Sequence, residues 1–405
     1  MKILIISTSD SGGAYVSAER LANGLKEFGH DAMLITRSNY QGIRYEELTK
    51  FSSKVVTLLS KILARKPFEQ IAPISVPFIN LSDIKDLNPD LIHIHNWYNF
   101  LSISQLEKLI QQYPVVFTMH DARLLTGGCF FTFDCDGFSK GCKHCPAIFF
   151  PKLLIRSSKN KLAEVINMSR PHRVITPSYW MQSQFKTTYP DIRATAHQVI
   201  PNMPNKIFMH SKPGISQRLG NRKTLLFVAS DITQPLKGLK LLLEAVGSFR
   251  DLVTLNIVGS GEIELSSESQ KYINLLGNLT ERELRKQFEI SDALIVPSLS
   301  ENRPNVIIEA QLSGVFVIAT DVGGIPEMIL EGKTGILCRP NKGNLAEAIA
   351  SYLEMTEETK FDIKGRALIK AREINNPAKI IEAHVDLYVE LMNEYCQGQS
   401  GATQK

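Results

Sequence analysis

The sequence predicts an α/β protein of two doubly wound, Rossmann-like domains, each on its own parallel sheet, and three observations carry that expectation. The chain has 405 residues, more than the roughly 100–200 typical of one domain. Short apolar runs alternate with segments of helical spacing in two successive series, separated by the polar stretch Asn205 to Lys223. The first series opens as a βαβ unit, which commits its strands to run parallel.

Taken in order, Lys2 to Ile6 reads as a buried strand and Ser7 to Gly13 as a polar, glycine-containing turn. A helix follows, with Ala14, Ala18, Leu21, Leu25 and Phe28 at three-and-four spacing. Gly29 closes it as a left-handed cap would, and Met33 to Thr36 is a second strand. Further strands are expected at Leu91–His95, Val115–Met119 and Val174–Thr176. In the second series, strands at Leu225–Ala229, Thr254–Val258, Ile273–Leu276, Ala293–Pro297 and Val315–Ala319 alternate with helices at Gly238–Val246, Glu281–Ile290 and Asn305–Leu312. A last helix, about Pro377 to Tyr395, follows the final strand. The expected domains are 1–204 and 205–376 facing a cleft, with 377–405 a helix packing back across the junction and ending in a flexible tail.

Composition narrows the class. Hydrophobic residues make up 43% and charged residues 21%, ordinary for a globular protein with real cores. No run approaches the roughly 18 apolar residues that span a bilayer, and the apolar run after Lys2 ends too soon for a secretory signal. A cytoplasmic location is therefore expected. The net charge of +5 permits anionic partners, but the positive charges are scattered and form no stripe with interleaved aromatics, so nucleic acid is not an expected partner.

The most informative stretch is Ser298 to Glu327, SLSENRPNVIIEAQLSGVFVIATDVGGIPE. A strand ends at Pro297, a loop carries Glu301, and Pro304 sits where a first-turn proline starts a helix. The backbone N–H groups of Asn305 and Val306 then stand at the positive end of a helix dipole, a ready site for a diphosphate. Glu309 lies further along among Val306, Ile307, Ile308, Ala310 and Leu312. A carboxylate on so apolar a helix needs a partner, and it can accept hydrogen bonds from the two vicinal hydroxyls of a ribose. Solvated surface carboxylates are the alternative for both glutamates. Lys237-Gly238 places a cation beyond the end of another strand, where ligands of open α/β sheets bind. Gly259, in Gly259-Ser260-Gly261, offers close approach to a base or ribose, or is a plain tight turn.

The first domain gives weaker signals. Gly12 and Gly13 precede a helix and could admit a phosphate or an acceptor. There is no complete G-x-G-x-x-G, and Thr36-Arg37-Ser38 supplies no acidic residue for a ribose, which disfavours NAD. His120-Asp121 follow a strand, so the imidazole emerges at the ligand-facing edge of the sheet, as a cleft residue or as a loop anchor. His93 and His95 share one face of their strand and read as structural.

These residues carry a resemblance. From about 224 to 340 the chain resembles the donor-binding domain of glycosyltransferase family 4, retaining enzymes of GT-B fold. The pair Glu301 and Glu309, the strand-loop-KG element Phe227 to Gly238 and the loop Asp321 to Glu327 all match. FTMHDARLLTGGCFFTFDCDGFSKGCKHCP is similar to the branch that builds colanic acid, capsules and exopolysaccharides. The resemblance implies that Lys237 contacts the donor diphosphate, Glu309 the ribose and Glu301 the transferred sugar, with His120 beside the reacting sugar. It also implies a nucleotide-sugar donor bound in the C-terminal domain, an acceptor (a glycan, or one linked to polyprenyl diphosphate) bound in the N-terminal domain, and retaining transfer without a catalytic metal. Two features depart from the pattern. Ser230-Asp231 stands where many members carry an arginine, and Asn302-Arg303-Pro304 replaces a glycine-rich loop, so Arg303 could supply the missing charge or narrow the sugar pocket. A sugar-nucleotide epimerase on the same fold and a non-catalytic nucleotide-sugar-binding module are the alternative readings.

Two segments stand apart. Cys129, Cys135, Cys142 and Cys145 fall within 17 residues and could close a tetrahedral structural zinc site, with His144 a substitute ligand. Reduced thiols and redox disulfides are the other readings. Phe51 to Lys66 reads as a basic amphipathic helix, suited to peripheral contact with an anionic membrane or to packing on a core.

Overall fold

The computed structural model describes residues 1–40, 58, 71, 75, 77–133, 135–148, 152–190, 192, 197–209 and 222–400. The expected helix Phe51 to Lys66 lies outside the described residues except for Leu58, and so does most of the polar stretch after Asn205. The chain divides into two compact units, Met1–Pro201 with Ala378–Lys405, and Asn202–Pro377.

Unit 1 is built on β1 (Lys2–Ile6), β2 (Asp31–Ile35), β3 (Leu91–Ile94), β4 (Val115–Thr118), β5 (His172–Thr176) and β6 (His197–Val199). They form one parallel sheet in the order β2-β1-β3-β4-β5-β6. All residues of β3, β4 and β5 are buried, which is why these strands read as continuous apolar runs rather than as alternation. Helices α1 (Gly13–Glu27), α2 (Leu81–Leu87), α3 (Ile103–Gln112), α4 (Lys152–Ile166) and α5 (Tyr179–Thr188) connect the strands. Helix α3 starts at a capping box between Ser102 and Gln105, which satisfies two otherwise orphaned N–H groups. The register pairs Ile6 with Ile94 and Ile94 with Phe117. The residues just beyond the ends of β1, β3 and β4 are therefore neighbours at the point where strand order reverses.

Unit 2 repeats the plan with β7 (Lys223–Asp231), α6 (Leu239–Val246), β8 (Val253–Ser260), β9 (Ile273–Gly277), α7 (Glu281–Ile290), β10 (Ala293–Val296), α8 (Asn305–Leu312), β11 (Phe316–Thr320), α9 (Ile325–Met328) and β12 (Ile336–Cys338). Its sheet order is β12-β11-β10-β7-β8-β9, all parallel. Strand order reverses between β7 and β10. Two helices that sequence pattern does not single out, α10 (Lys342–Glu354) and α11 (Glu357–Ile374), complete this unit.

The last helix, α12 (Pro377–Ser400), belongs to unit 1. It buries Ile380, Ile381, Leu387, Tyr388, Leu391 and Tyr395, each worth about 1.5–3 kcal/mol when fully removed from water. Tyr388 Oη hydrogen-bonds His93 Nδ1 at 2.6 Å, and Tyr395 Oη donates to the Gln111 carbonyl at 2.8 Å. Arg173, itself buried, pairs with Glu394 at 2.5 Å.

Candidate active site

The switch point of the second sheet gathers several of the residues singled out from sequence. Gly238 has φ +72°, and a Cβ there would lie 1.8 Å from the Pro297 carbonyl oxygen. Only glycine lets the loop after β7 come this close to the end of β10. Leu299 N–H donates to the Leu236 carbonyl at 2.8 Å and fixes the same approach. Its consequence is an ion pair between Lys237 Nζ and Glu301 Oε1, two residues 64 positions apart. Glu301 is 9% exposed and Glu309, on α8, 6%, so neither is a solvated surface carboxylate.

The loop Asp321 to Glu327 packs on the same element. At Gly323, φ +58°, a Cβ would meet the Glu301 carbonyl oxygen at 1.7 Å, and Gly324 N–H donates to that oxygen at 3.2 Å. Thr320 Oγ1 donates to the Ser298 carbonyl at 2.6 Å. The loop bearing Glu301 is thus held from both sides. Pro304 is not inside the helix but caps it in an extended conformation, and α8 begins at Asn305. Asn305 and Val306 form its first turn, where backbone N–H groups have no acceptor within the helix. Asn202 Nδ2 donates to Asn305 Oδ1 at 3.1 Å and to the Arg303 carbonyl at 3.3 Å.

Arg303 turns elsewhere. Its guanidinium donates to Asn375 Oδ1 at 3.1 Å, at the C-terminal end of α11. Burial lowers its pKa to about 10 while Glu327 raises it. The arginine ties its loop to the scaffold. Gly259 lies within β8 rather than in a turn, with the Ala229 carbonyl against its Cα.

In unit 1 the candidate residues cluster beyond β1, β3 and β4. His120 Nε2 lies 2.8 Å from His95 Nδ1, with the two rings stacked at 5.0 Å. His95 Nε2 is buried without a hydrogen-bond partner. Buried N–H groups are rarely orphaned, which favours the tautomer in which His95 Nδ1–H donates to His120 Nε2. A neutral His120 then carries its proton on Nδ1. Burial, with a contribution from Arg123 and against that of Asp121, lowers the His120 pKa to about 4. His93 by contrast spends both nitrogens on the scaffold, one on Tyr388 and the other on Thr118 Oγ1 at 2.7 Å.

Asp121 holds Arg123, which is 4% exposed, through both carboxylate oxygens. Arg123 Nη1 donates to Asn96 Oδ1 at 2.8 Å, and Thr8 Oγ1 donates to the same oxygen at 3.2 Å. Sequence reasoning missed Thr8, His95, Asn96 and Arg123 as a group. The available signal is that each follows a strand end. Gly12 is the N-cap of α1, with φ +85°, and a side chain at Gly12 or Gly13 would meet nothing within 4 Å.

Cys129, Cys135, Cys142 and Cys145 are free thiols that line one cavity of about 20 Å³ with Phe138 and Ala147. Burial raises the pKa of Cys129, Cys142 and Cys145. His144 is exposed. Among the described residues no three His, Cys, Asp or Glu side chains stand close enough together to ligate one ion as they lie.

Two family models cover most of the chain. Residues 11–204 match "Glycosyltransferase Family 4" and residues 222–355 match "Glycosyl transferases group 1". The chain belongs to glycosyltransferase family 4. It is 25% identical to the putative colanic acid biosynthesis glycosyl transferase WcaC of Escherichia coli over 75% of this chain and 77% of that protein. This glycosyltransferase also shares its fold with solved structures. Sucrose-phosphate synthase from Thermosynechococcus elongatus superposes with TM-score 0.68 at 17% identity, over 97% of this chain and 99% of that one. HepE (Alr3699) of Anabaena, solved in complex with UDP, gives TM-score 0.63 at 18% identity, over 96% and 100%. The fold class is GT-B, with two Rossmann-like units.

Proposed function

We propose that this glycosyltransferase moves a sugar, with retention at the anomeric carbon, from a nucleotide-sugar donor to a glycan or lipid-linked glycan acceptor in surface polysaccharide synthesis. The observation that supports this most is the Lys237–Glu301 pair at the switch point of the second sheet, beside the N-terminus of α8. In this reading Lys237 and the amides of Asn305 and Val306 receive the diphosphate and stabilise its charge as it leaves. Glu309 takes the ribose hydroxyls, Gly259 lies toward the nucleoside, and Glu301 orients the transferred sugar. His120 contacts the reacting sugar, while Gly12 and Gly13 leave room for an acceptor or its phosphate. No metal is needed at the diphosphate, because the lysine and the amides supply the positive charge.

In this reading Glu301 pairs with Lys237, and no carboxylate is an obvious nucleophile. We therefore favour same-face attack, in which the departing phosphate accepts the acceptor's hydroxyl proton as the new glycosidic bond forms. The likeness to WcaC supports a polysaccharide pathway, and the likeness to a UDP-bound structure makes UDP-sugars the first donors to try. A lipid-linked acceptor would bring the protein to the cytoplasmic face of an anionic membrane. Among the described residues no helix is long and apolar enough to cross a membrane.

The test is transfer from UDP-, GDP-, ADP- and dTDP-sugars to a polyprenyl-diphosphate-linked glycan, in chelator, with the product's anomeric configuration read by NMR. Retained configuration supports the reading. Inversion contradicts the mechanism, and donor conversion without acceptor would make the protein an epimerase.

A further inference from the structure

The segment between β4 and α4 poses a physical problem that the transferase chemistry does not solve. From Leu125 to Ile148 its described residues form turns, bends and isolated bridges but no helix or strand. Even so it buries Leu125, Phe138, Cys142, Cys145, Ala147 and Ile148 in the core of unit 1. A long irregular loop that enters a core has few backbone ladders to hold it and needs another constraint. Its backbone is also tightly wound, with positive φ at Phe133, Gly141 and Cys142.

The constraint is indicated by the four sulfurs. All line the same cavity, whose volume of about 20 Å³ is close to the room one water or one ion takes up. Burial disfavours the thiolates of Cys129, Cys142 and Cys145, while backbone amides and lysines act against that effect at Cys142 and Cys145. Gly137 N–H donates to Cys135 Sγ at 3.4 Å, the Gly127 amide serves Cys142, and those of Ala147 and Ile148 serve Cys145. Beyond the thiols themselves, the charged side chains acting on Cys142 and Cys145 are Lys159 and Lys152, and Lys140 acts on Cys135.

Lys159 is the independent observation. It is 4% exposed on α4, its ammonium donates to Tyr189 Oη at 3.0 Å, and it sits 4.1 Å from the centre of that ring. Among the described residues its hydrogen-bond partner is this phenol, and no carboxylate is among the groups that shift its pKa. Lysines are almost never buried without an anionic partner; burial lowers the pKa of this ammonium to about 8, and Cys142 acts to raise it.

We propose that Cys129, Cys135, Cys142 and Cys145 bind one zinc ion as a tetrathiolate, with Lys159 as its buried counter-charge. Four S–H bonds give four protons to solvent as four Zn–S bonds form, with no change of oxidation state. The site then carries two net negative charges, which Lys159 and the amides offset. The sulfurs do not yet stand at ligand spacing as they lie. Rotation between staggered χ1 wells moves a cysteine sulfur by about 3 Å, and zinc binding requires such rotations to bring the four sulfurs to the Zn–S distance of about 2.3 Å. His144, pointing to solvent, is not a ligand.

The full chain, purified under reducing conditions without added chelator and then dialysed against zinc and buffer, should hold one zinc per chain by elemental analysis. Replacing that zinc with cobalt should give the thiolate charge-transfer and tetrahedral d–d bands of a four-sulfur site. Lys159→Met should retain the metal but lose it to a chromogenic chelator at least tenfold faster than the parent protein. Less than a tenth of an equivalent of zinc, or cobalt spectra without sulfur bands, overturns the proposal. So does a denatured, unreduced mass two hydrogens light for each of two disulfides.

Discussion

At Gly238 the peptide has a left-handed conformation and the Pro297 carbonyl occupies the place of a Cβ. Two costs are therefore combined in one residue, and they can be separated. Gly277 has nearly the same φ, +66°, but open space around it. Gly277→Ala should cost only the conformational term, about 1–2 kcal/mol. Gly238→Ala should cost that and also push the Lys237 loop off β10, lowering affinity for the donor tenfold or more. Denaturant melts together with donor titrations of both variants check this. Equal donor affinity in the two would show that the close approach does not position Lys237. The same residue scale marks how far reading the sequence can go. The positions of Lys237 and Glu301 beyond strand ends and of Glu309 on a buried helix are legible because the apolar pattern reveals where those elements end. His95 is not, since its contact with His120 is set by the pairing of β3 with β4, 25 residues apart.

Among the elements, α12 shows how a helix distant in sequence completes a unit. Tyr388, fully buried, supplies the hydrogen-bond partner of His93 Nδ1. Tyr388→Phe leaves that nitrogen buried and unpaired, which should destabilise unit 1 by about 1–3 kcal/mol. Both tryptophans of the chain, Trp97 and Trp180, lie in unit 1, so tryptophan fluorescence reports its unfolding and not that of unit 2. An unchanged fluorescence midpoint would contradict the role given to α12. The buried central strands were readable because parallel sheets covered on both faces are continuously apolar. The edge strands β6 and β12 were not, because three residues each are too few to show a period. Helices α10 and α11 carry weak apolar stripes, and helix propensity alone did not mark them.

At the scale of the whole molecule, the two units should answer differently to acid. Burial lowers the pKa of His120 and His384 to about 4, and those of His93 and His95 well below the ordinary value. All four lie in unit 1. The unfolded chain binds these protons from pH about 6.5 downward, whereas folded unit 1 takes up those of His120 and His384 only near pH 4 and resists protonation of His93 and His95 as well. Unit 1 should therefore be fully stable above pH 6.5 and lose stability as pH falls toward 4. Each histidine contributes a slope of up to about 1.4 kcal/mol per pH unit. Tryptophan fluorescence midpoints in urea across this range measure the slope. A flat profile would mean that these histidines are protonated in the fold.

Calorimetric titration of a UDP-sugar panel, extended to other nucleotide sugars, into the protein and into Lys237→Ala and Glu309→Ala tests the proposed donor site in unit 2 most directly. We predict binding of one donor per chain without added metal, weakened about tenfold to a hundredfold in each variant, as expected for loss of a charge-assisted hydrogen bond of about 1.5–3 kcal/mol. Donor binding of equal strength in all three proteins would contradict the placement of the diphosphate and ribose at Lys237, α8 and Glu309.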